Sequence, residues 1–224
     1  MEKRTVTIHR SGIENFLMEV KRYVKSHKKP VALVSLLCVV LFALVIGGLV
    51  YYDKRSAKDL HEYETIITTY QMSGKSDAAA DDAVKKLSNL VDKSWFGYVH
   101  RHGYYIIAGI LFEKKRFEEA GTFYIKYADK TNSAFTPLAL FQAGICAESL
   151  GHYDRAAELY KRIEKQYKDS AYNDRVLYDL GRIAEKKGEN AQAKDYFTRM
   201  IAQYPNSAFA ASAKSRLFLI GISK

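Results

Sequence analysis

The chain has 224 residues, of which 48% are hydrophobic, and a formal net charge of +10 at pH 7. That length allows one ordinary domain plus appendages. The positive excess divides evenly, with eight Lys or Arg against three acids in residues 1–30 and 27 against 22 in residues 53–224. Spread over the long second stretch it is mild, which argues against a dedicated nucleic-acid binder.

Residues 11–29 read as a short amphipathic helix. Ser11 and Glu14 form a capping box, and Ile13, Phe16, Leu17, Val20, Tyr23 and Val24 follow the spacing of one helical face. Lys21, Arg22, Lys25, Lys28 and Lys29 crowd its far end, and Pro30 is expected to break it. The face suits either anionic headgroups or a cytoplasmic partner.

Val31–Tyr52 comes next, 22 consecutive residues without a charge. At helical rise these span about 33 Å, enough for the hydrocarbon core of a bilayer. Its exit through Gly48, Leu49, Val50, Tyr51 and Tyr52 is too bulky for signal cleavage, and Leu37 before Cys38 is poor for lipid processing. The segment is expected to stay as a single transmembrane anchor. The basic side of a span stays cytoplasmic, so residues 1–30 are expected inside the inner (cytoplasmic) membrane and residues 53–224 outside it, in a periplasm or its equivalent. Cys38 in the span and Cys146 beyond it cannot pair. Cys146 then reads as a small apolar packer, with an intermolecular bridge as the minor alternative.

After the span, Leu60, Tyr63, Ile67 and Tyr70 keep to one helical stripe. Gly74 to Asp77 interrupts it, and Ala80, Ala83, Val84, Leu87, Leu90 and Val91 resume, so residues 53–94 form a degenerate first helical hairpin. With no Pro or Gly between Tyr52 and Tyr70, the anchor helix is expected to run straight into the hairpin's first helix.

Residues 95–224 carry a fixed period. Residues 171–207 fall on 134–170 when slid back by 37 positions: Gly144 meets Gly181, Gly151 meets Gly188, Ala156 meets Ala193, and Gln166-Tyr167 meets Gln203-Tyr204. Such a period marks a helical repeat array, whose units must stack to bury their apolar faces. Seven packing positions in each of three units read apolar, aromatic or Gly throughout, from Tyr104, Ile107, Ala108 and Leu111 in the first to Ala193, Phe197 and Met200 in the last. Gly151 and Gly188 supply turns within units. Pro205 ends the last unit, Ser207 can cap the next helix, and Ala208 to Ile220 reads as a terminal capping helix. The fold class is all-α: one N-terminal transmembrane helix, then a tetratricopeptide-repeat α-solenoid of one degenerate pair, three clear helix pairs and a capping helix.

Residues 56–221 resemble bacterial tetratricopeptide-repeat proteins of the envelope. The ending at Gln203, Tyr204, Pro205, Ser207 and Ala210 is similar to the CpoB-like cell-division and BamD-like outer-membrane assembly families. The layout of basic N-terminus, single anchor and small repeat domain resembles the ancillary SecYEG translocon subunit (YfgM-like) family. Two units depart from the pattern, with Asn132 and Lys168 where proline is usual. The resemblance implies a non-enzymatic scaffold whose partners are the translocon, periplasmic chaperones or unfolded clients, with a homo-oligomer left open. The alternatives are an envelope-biogenesis or cell-division scaffold and, from another class, a receptor with its repeats in the cytosol.

No catalytic, metal-binding or cofactor-binding residue is assigned. Six histidines are scattered, and His100 and His102, two apart, point to different helix faces. The candidate site is the concave groove, with protein-binding residues Tyr105, Phe112, Phe141, Ile145, Tyr178 and Arg182. Repeat proteins that clamp a chaperone C-terminal carboxylate use Lys and Asn at positions 5 and 9. Here those positions hold Tyr105 with Gly109, Phe141 with Ile145, and Tyr178 with Arg182. An aromatic groove rimmed by Arg175 and Arg182 suits an amphipathic helix or an extended apolar peptide.

Overall fold

A computed structural model describes residues 12–222. Among them are helices and no strand: α1 (Gly12–Ser26), α2 (Lys28–Met72), α3 (Asp77–Lys93), α4 (Gly97–Glu113), α5 (Phe117–Lys130), α6 (Thr136–Ser149), α7 (Tyr153–Gln166), α8 (Asn173–Lys186), α9 (Asn190–Gln203) and α10 (Ala210–Ile222). Two compact units divide the chain, Met1–Lys54 and Arg55–Lys224.

In the first unit the expected amphipathic helix is present as α1, while Ser11 lies outside the described residues. The interruption before the apolar run falls at His27 rather than at Pro30. Pro30 sits in the first turn of α2, where a missing N–H costs nothing because that donor would be unpaired anyway. Among the described residues α2 is the one helix long and apolar enough to cross a membrane, and its apolar window is fully exposed. As the lack of Pro and Gly predicts, α2 continues without a break to Met72.

The second unit is a solenoid: each helix from α3 to α10 packs on its chain neighbours. All twenty-one packing positions predicted from the repeat are buried. The small residues explain how the helices come so close. A Cβ on Gly144 would run into the Tyr160 ring, and one on Gly181 into the Phe197 ring, 2.5 Å from the nearest ring carbon. Both rings are fully buried, so neither has room to swing aside. The turns within the units need left-handed backbone: Gly151 and Gly188 take φ of +75° and +74°. The first clear repeat, α4 and α5, makes the same turn with Lys115 at φ +59°, a conformation that disfavours a side chain.

Ser76 caps α3 by accepting from the Ala79 N–H. Asp59 of α2 is buried and accepts from the Ser94 hydroxyl at the end of α3 (2.8 Å). The final helix begins at Ala210, two residues later than the sequence suggests, because Ser207, Ala208 and Phe209 form a turn in front of it.

Candidate protein-interaction surface

That turn recurs. Ser133, Ser170 and Ser207 each accept, through the side-chain oxygen, the N–H two residues on: Phe135 (3.2 Å), Tyr172 (3.2 Å) and Phe209 (3.1 Å). Each aromatic precedes the first helix of a unit, at the 37-residue period, and is thrown back towards the preceding unit. Tyr172 stacks on Phe141 (centroids 5.6 Å apart) and Phe209 stacks on Tyr178 (5.3 Å). The period therefore builds a row of ring pairs along the helices expected to line the groove.

These pairs decide how much of the groove is open. Phe141 is 8% exposed, held between Tyr160 and Tyr172. Tyr178 is half-buried between Phe197 and Phe209, and its hydroxyl accepts from Arg216 Nε of α10 (3.3 Å). Tyr105 is half-buried with its edge to Tyr124 and Tyr127, and burial pushes its phenol pKa up. Phe112 meets Phe117 edge-on, and Ile145 is half-buried against the core.

Arg182 is tied into a network that the repeat pattern does not reveal. Asp179, 1% exposed, accepts from Arg175 Nε (2.7 Å) and Arg182 Nε (3.0 Å). Arg182 also donates through Nη2 to Glu148 of the preceding unit (2.7 Å), whose other oxygen accepts from Tyr160 (2.8 Å). These partners raise the Arg182 pKa against the desolvation that would lower it, so it stays charged. Arg175 lies against the Phe209 ring (4.7 Å) and the Phe141 ring (6.0 Å). The Arg175, Asp179, Arg182 spacing of four and then three was the available signal, since it sets all three on one helical face.

The row of covered rings stops at the repeat formed by α4 and α5. Phe135 is 54% exposed and meets only the edge of His102 among the ring contacts (5.9 Å). His102 in turn packs on Tyr98 (4.9 Å), and Trp95 just before α4 is 83% exposed. Beside Phe135 opens a cleft of about 560 Å³ lined by His100, Arg101, His102, Tyr127 and Lys130, with no carboxylate among its lining residues. Burial, and then the charge of Arg101, lower the His102 pKa, so Arg101 and Lys130 carry the positive charge there. Lys130 donates to the Tyr104 hydroxyl (3.0 Å) and sits over that ring. This corner offers an aromatic wall, two cations and free volume, the chemistry that receives an apolar peptide bearing a carboxylate. A second trough, of about 490 Å³, lies between α2 and α3 and is lined by Ile66, Tyr70, Ala79 and Ala83.

Residues 138–217 match the family described as Tetratricopeptide repeat. No curated protein matches the chain. Among solved structures, a Podosopora anserina putative kinesin light chain with nearly identical TPR-like repeats aligns with a TM-score of 0.50 at 12% identity, covering 74% of this chain and 86% of that one. MamA aligns with a TM-score of 0.47 at 23% identity, covering 67% of this chain and 83% of its own. BtubC (BKLC) from P. vanneervenii aligns with a TM-score of 0.47 at 14% identity, covering 75% and 82%. At these identities the likeness is one of fold. Repeats of this kind are in general non-enzymatic surfaces for protein–protein interaction. The chain has the fold of a tetratricopeptide-repeat solenoid, with the repeat family itself matched over residues 138–217.

Proposed function

We propose that this chain is a non-enzymatic, membrane-anchored scaffold. In this reading Val31–Tyr52 spans the inner membrane, the N-terminal segment is cytoplasmic, and the repeats face the periplasm. There they dock proteins at the Sec translocon, linking it to periplasmic chaperones or unfolded clients. The observation that carries the docking role is the open corner at Tyr98, His102 and Phe135 beside the Arg101–Lys130 cleft, where aromatic surface is left uncovered. Of the predicted groove residues, half-buried Tyr105, Phe112, Ile145 and Tyr178 keep some surface for a ligand, while Phe141 is taken up by Tyr160 and Tyr172 and Arg182 by Asp179 and Glu148. The translocon assignment rests on the layout of basic N-terminus, anchor and repeats.

Two experiments test this. Co-purification of the full chain in mild detergent is expected to recover translocon or chaperone components above an anchor-only control, and recovery of neither removes the assignment. Protease treatment of spheroplasts is expected to digest residues 53–224; their protection would place the repeats in the cytosol and favour a receptor instead.

A further inference from the structure

We propose that α1 is a lipid-binding element, lying in the surface of the bilayer that α2 enters and held there by acidic phospholipid headgroups. The inference rests on reading α2 as a membrane anchor. No residue of α1 is buried, and Ile13, Phe16, Leu17, Val20, Tyr23 and Val24 are all exposed. At 100° per residue these six side chains fall within an arc of about 120°, a continuous apolar stripe. Such a stripe needs cover.

The sequence around it says what the cover is. From Gly12 to Lys29 there are five Lys or Arg against two acids, and all five cations lie in the half nearest the apolar run. A protein groove gives no reason for such a gradient. A bilayer does: the uncharged span begins at Val31, so the end of α1 stands at the level of the headgroup phosphates once α2 is inserted. Lys21 borders the stripe and can keep its ammonium group among phosphates while its stem lies on the apolar phase. A single residue, His27, separates α1 from α2, so the acidic surface is always within reach.

The junction can bend. Pro30 has no N–H to give the Ser26 carbonyl, and the bonds carried across are His27 N–H to Tyr23 O (2.9 Å) and Val31 N–H to His27 O (3.0 Å). At the headgroup level water and phosphate can replace both when α1 turns down onto the surface.

The test uses the full chain carrying Trp95→Phe and Phe16→Trp, so that the only tryptophan reports on α1. It is reconstituted into phosphatidylcholine vesicles with and without phosphatidylglycerol. With phosphatidylglycerol, emission is expected to shift to the blue, brominated acyl chains to quench it, and acrylamide quenching to fall. Each Lys or Arg near the surface is worth about fivefold in the docking equilibrium, so Lys21→Gln, Arg22→Gln and Lys25→Gln together are expected to return residue 16 to water. Equal acrylamide access in both vesicles overturns the proposal, as does protection that ignores the three substitutions. Failure of the chain to float with vesicles overturns the anchor and this inference together. Flotation with residue 16 in water overturns this inference alone.

Discussion

Arg182→Met separates a structural cation from one available to a ligand. In the folded chain Arg182 holds Asp179 at 3.0 Å and Glu148 at 2.7 Å, joining α8 to α6. Its loss leaves Asp179, 1% exposed, with Arg175 as its remaining cation. Breaking a fully buried pair from one side costs about 3–5 kcal/mol. The Arg182 and Glu148 side chains keep 23% and 14% of their exposure, so water relieves part of the loss and about 2–3 kcal/mol is expected. For a unit of this size that lowers Tm by about 5–10 °C. Because an array is held by contacts between neighbours, amide hydrogen exchange should accelerate in α8, α9 and α10 more than in α4 and α5. Adding Asp179→Asn should recover part of the loss, since no buried charge is then stranded. A change below about 0.5 kcal/mol with unaltered exchange would refute the reasoning, leaving Arg182 a solvated rim residue.

Phe141→Ala should destabilise by about 3–4 kcal/mol because it empties a ring site between Tyr160 and Tyr172, whereas Phe135→Ala should stay within about 0.5 kcal/mol and lower partner recovery; urea unfolding and co-purification check the two readouts. Lys115→Gly should stabilise by about 0.5–1 kcal/mol, read as a higher urea midpoint at constant slope, the relief of a φ of +59° less the entropy glycine brings to the unfolded chain. Burial pushes the Cys146 thiol up to about 12. The native state then binds that proton more tightly than the unfolded chain, so the contribution to stability is full below about pH 8.5 and is lost as pH rises towards 12. In a Cys38→Ser variant, maleimide near neutral pH should therefore label Cys146 only as fast as the repeats open, a rate that urea should raise; prompt labelling of the folded chain would contradict its burial.

The packed half of the repeat was legible because each of its positions answers to the unit's own helices. Gly144 against Tyr160 and Gly181 against Phe197 are contacts within one unit, and the 37-residue period displays both. The groove half was less legible because its exposure depends on the next unit. Tyr178 reads as a groove ring until Phe209 is laid upon it, and Phe141 until Tyr172 is. The signal is present as Ser-Ala followed by an aromatic at 133–135, 170–172 and 207–209, but that aromatic lies outside the positions that carry the repeat match. Asp179 escaped because its neighbours in the repeat, Gln142 and Ile106, carry no charge, so the period gave no cue. Pro30 reads as a breaker because proline ends helices, yet in a first turn it is tolerated, and the interruption falls at His27.

In the proposed function the repeats dock another protein at the corner where the ring row is left uncovered. Photo-crosslinking in cells tests it most directly, with a reactive side chain at Phe135 and controls at Phe141 and Tyr178. Adducts to a different protein at Phe135, weaker at Tyr178 and absent at the buried Phe141, are the predicted result. No adduct at Phe135, or adducts there only to other copies of this chain, would contradict it.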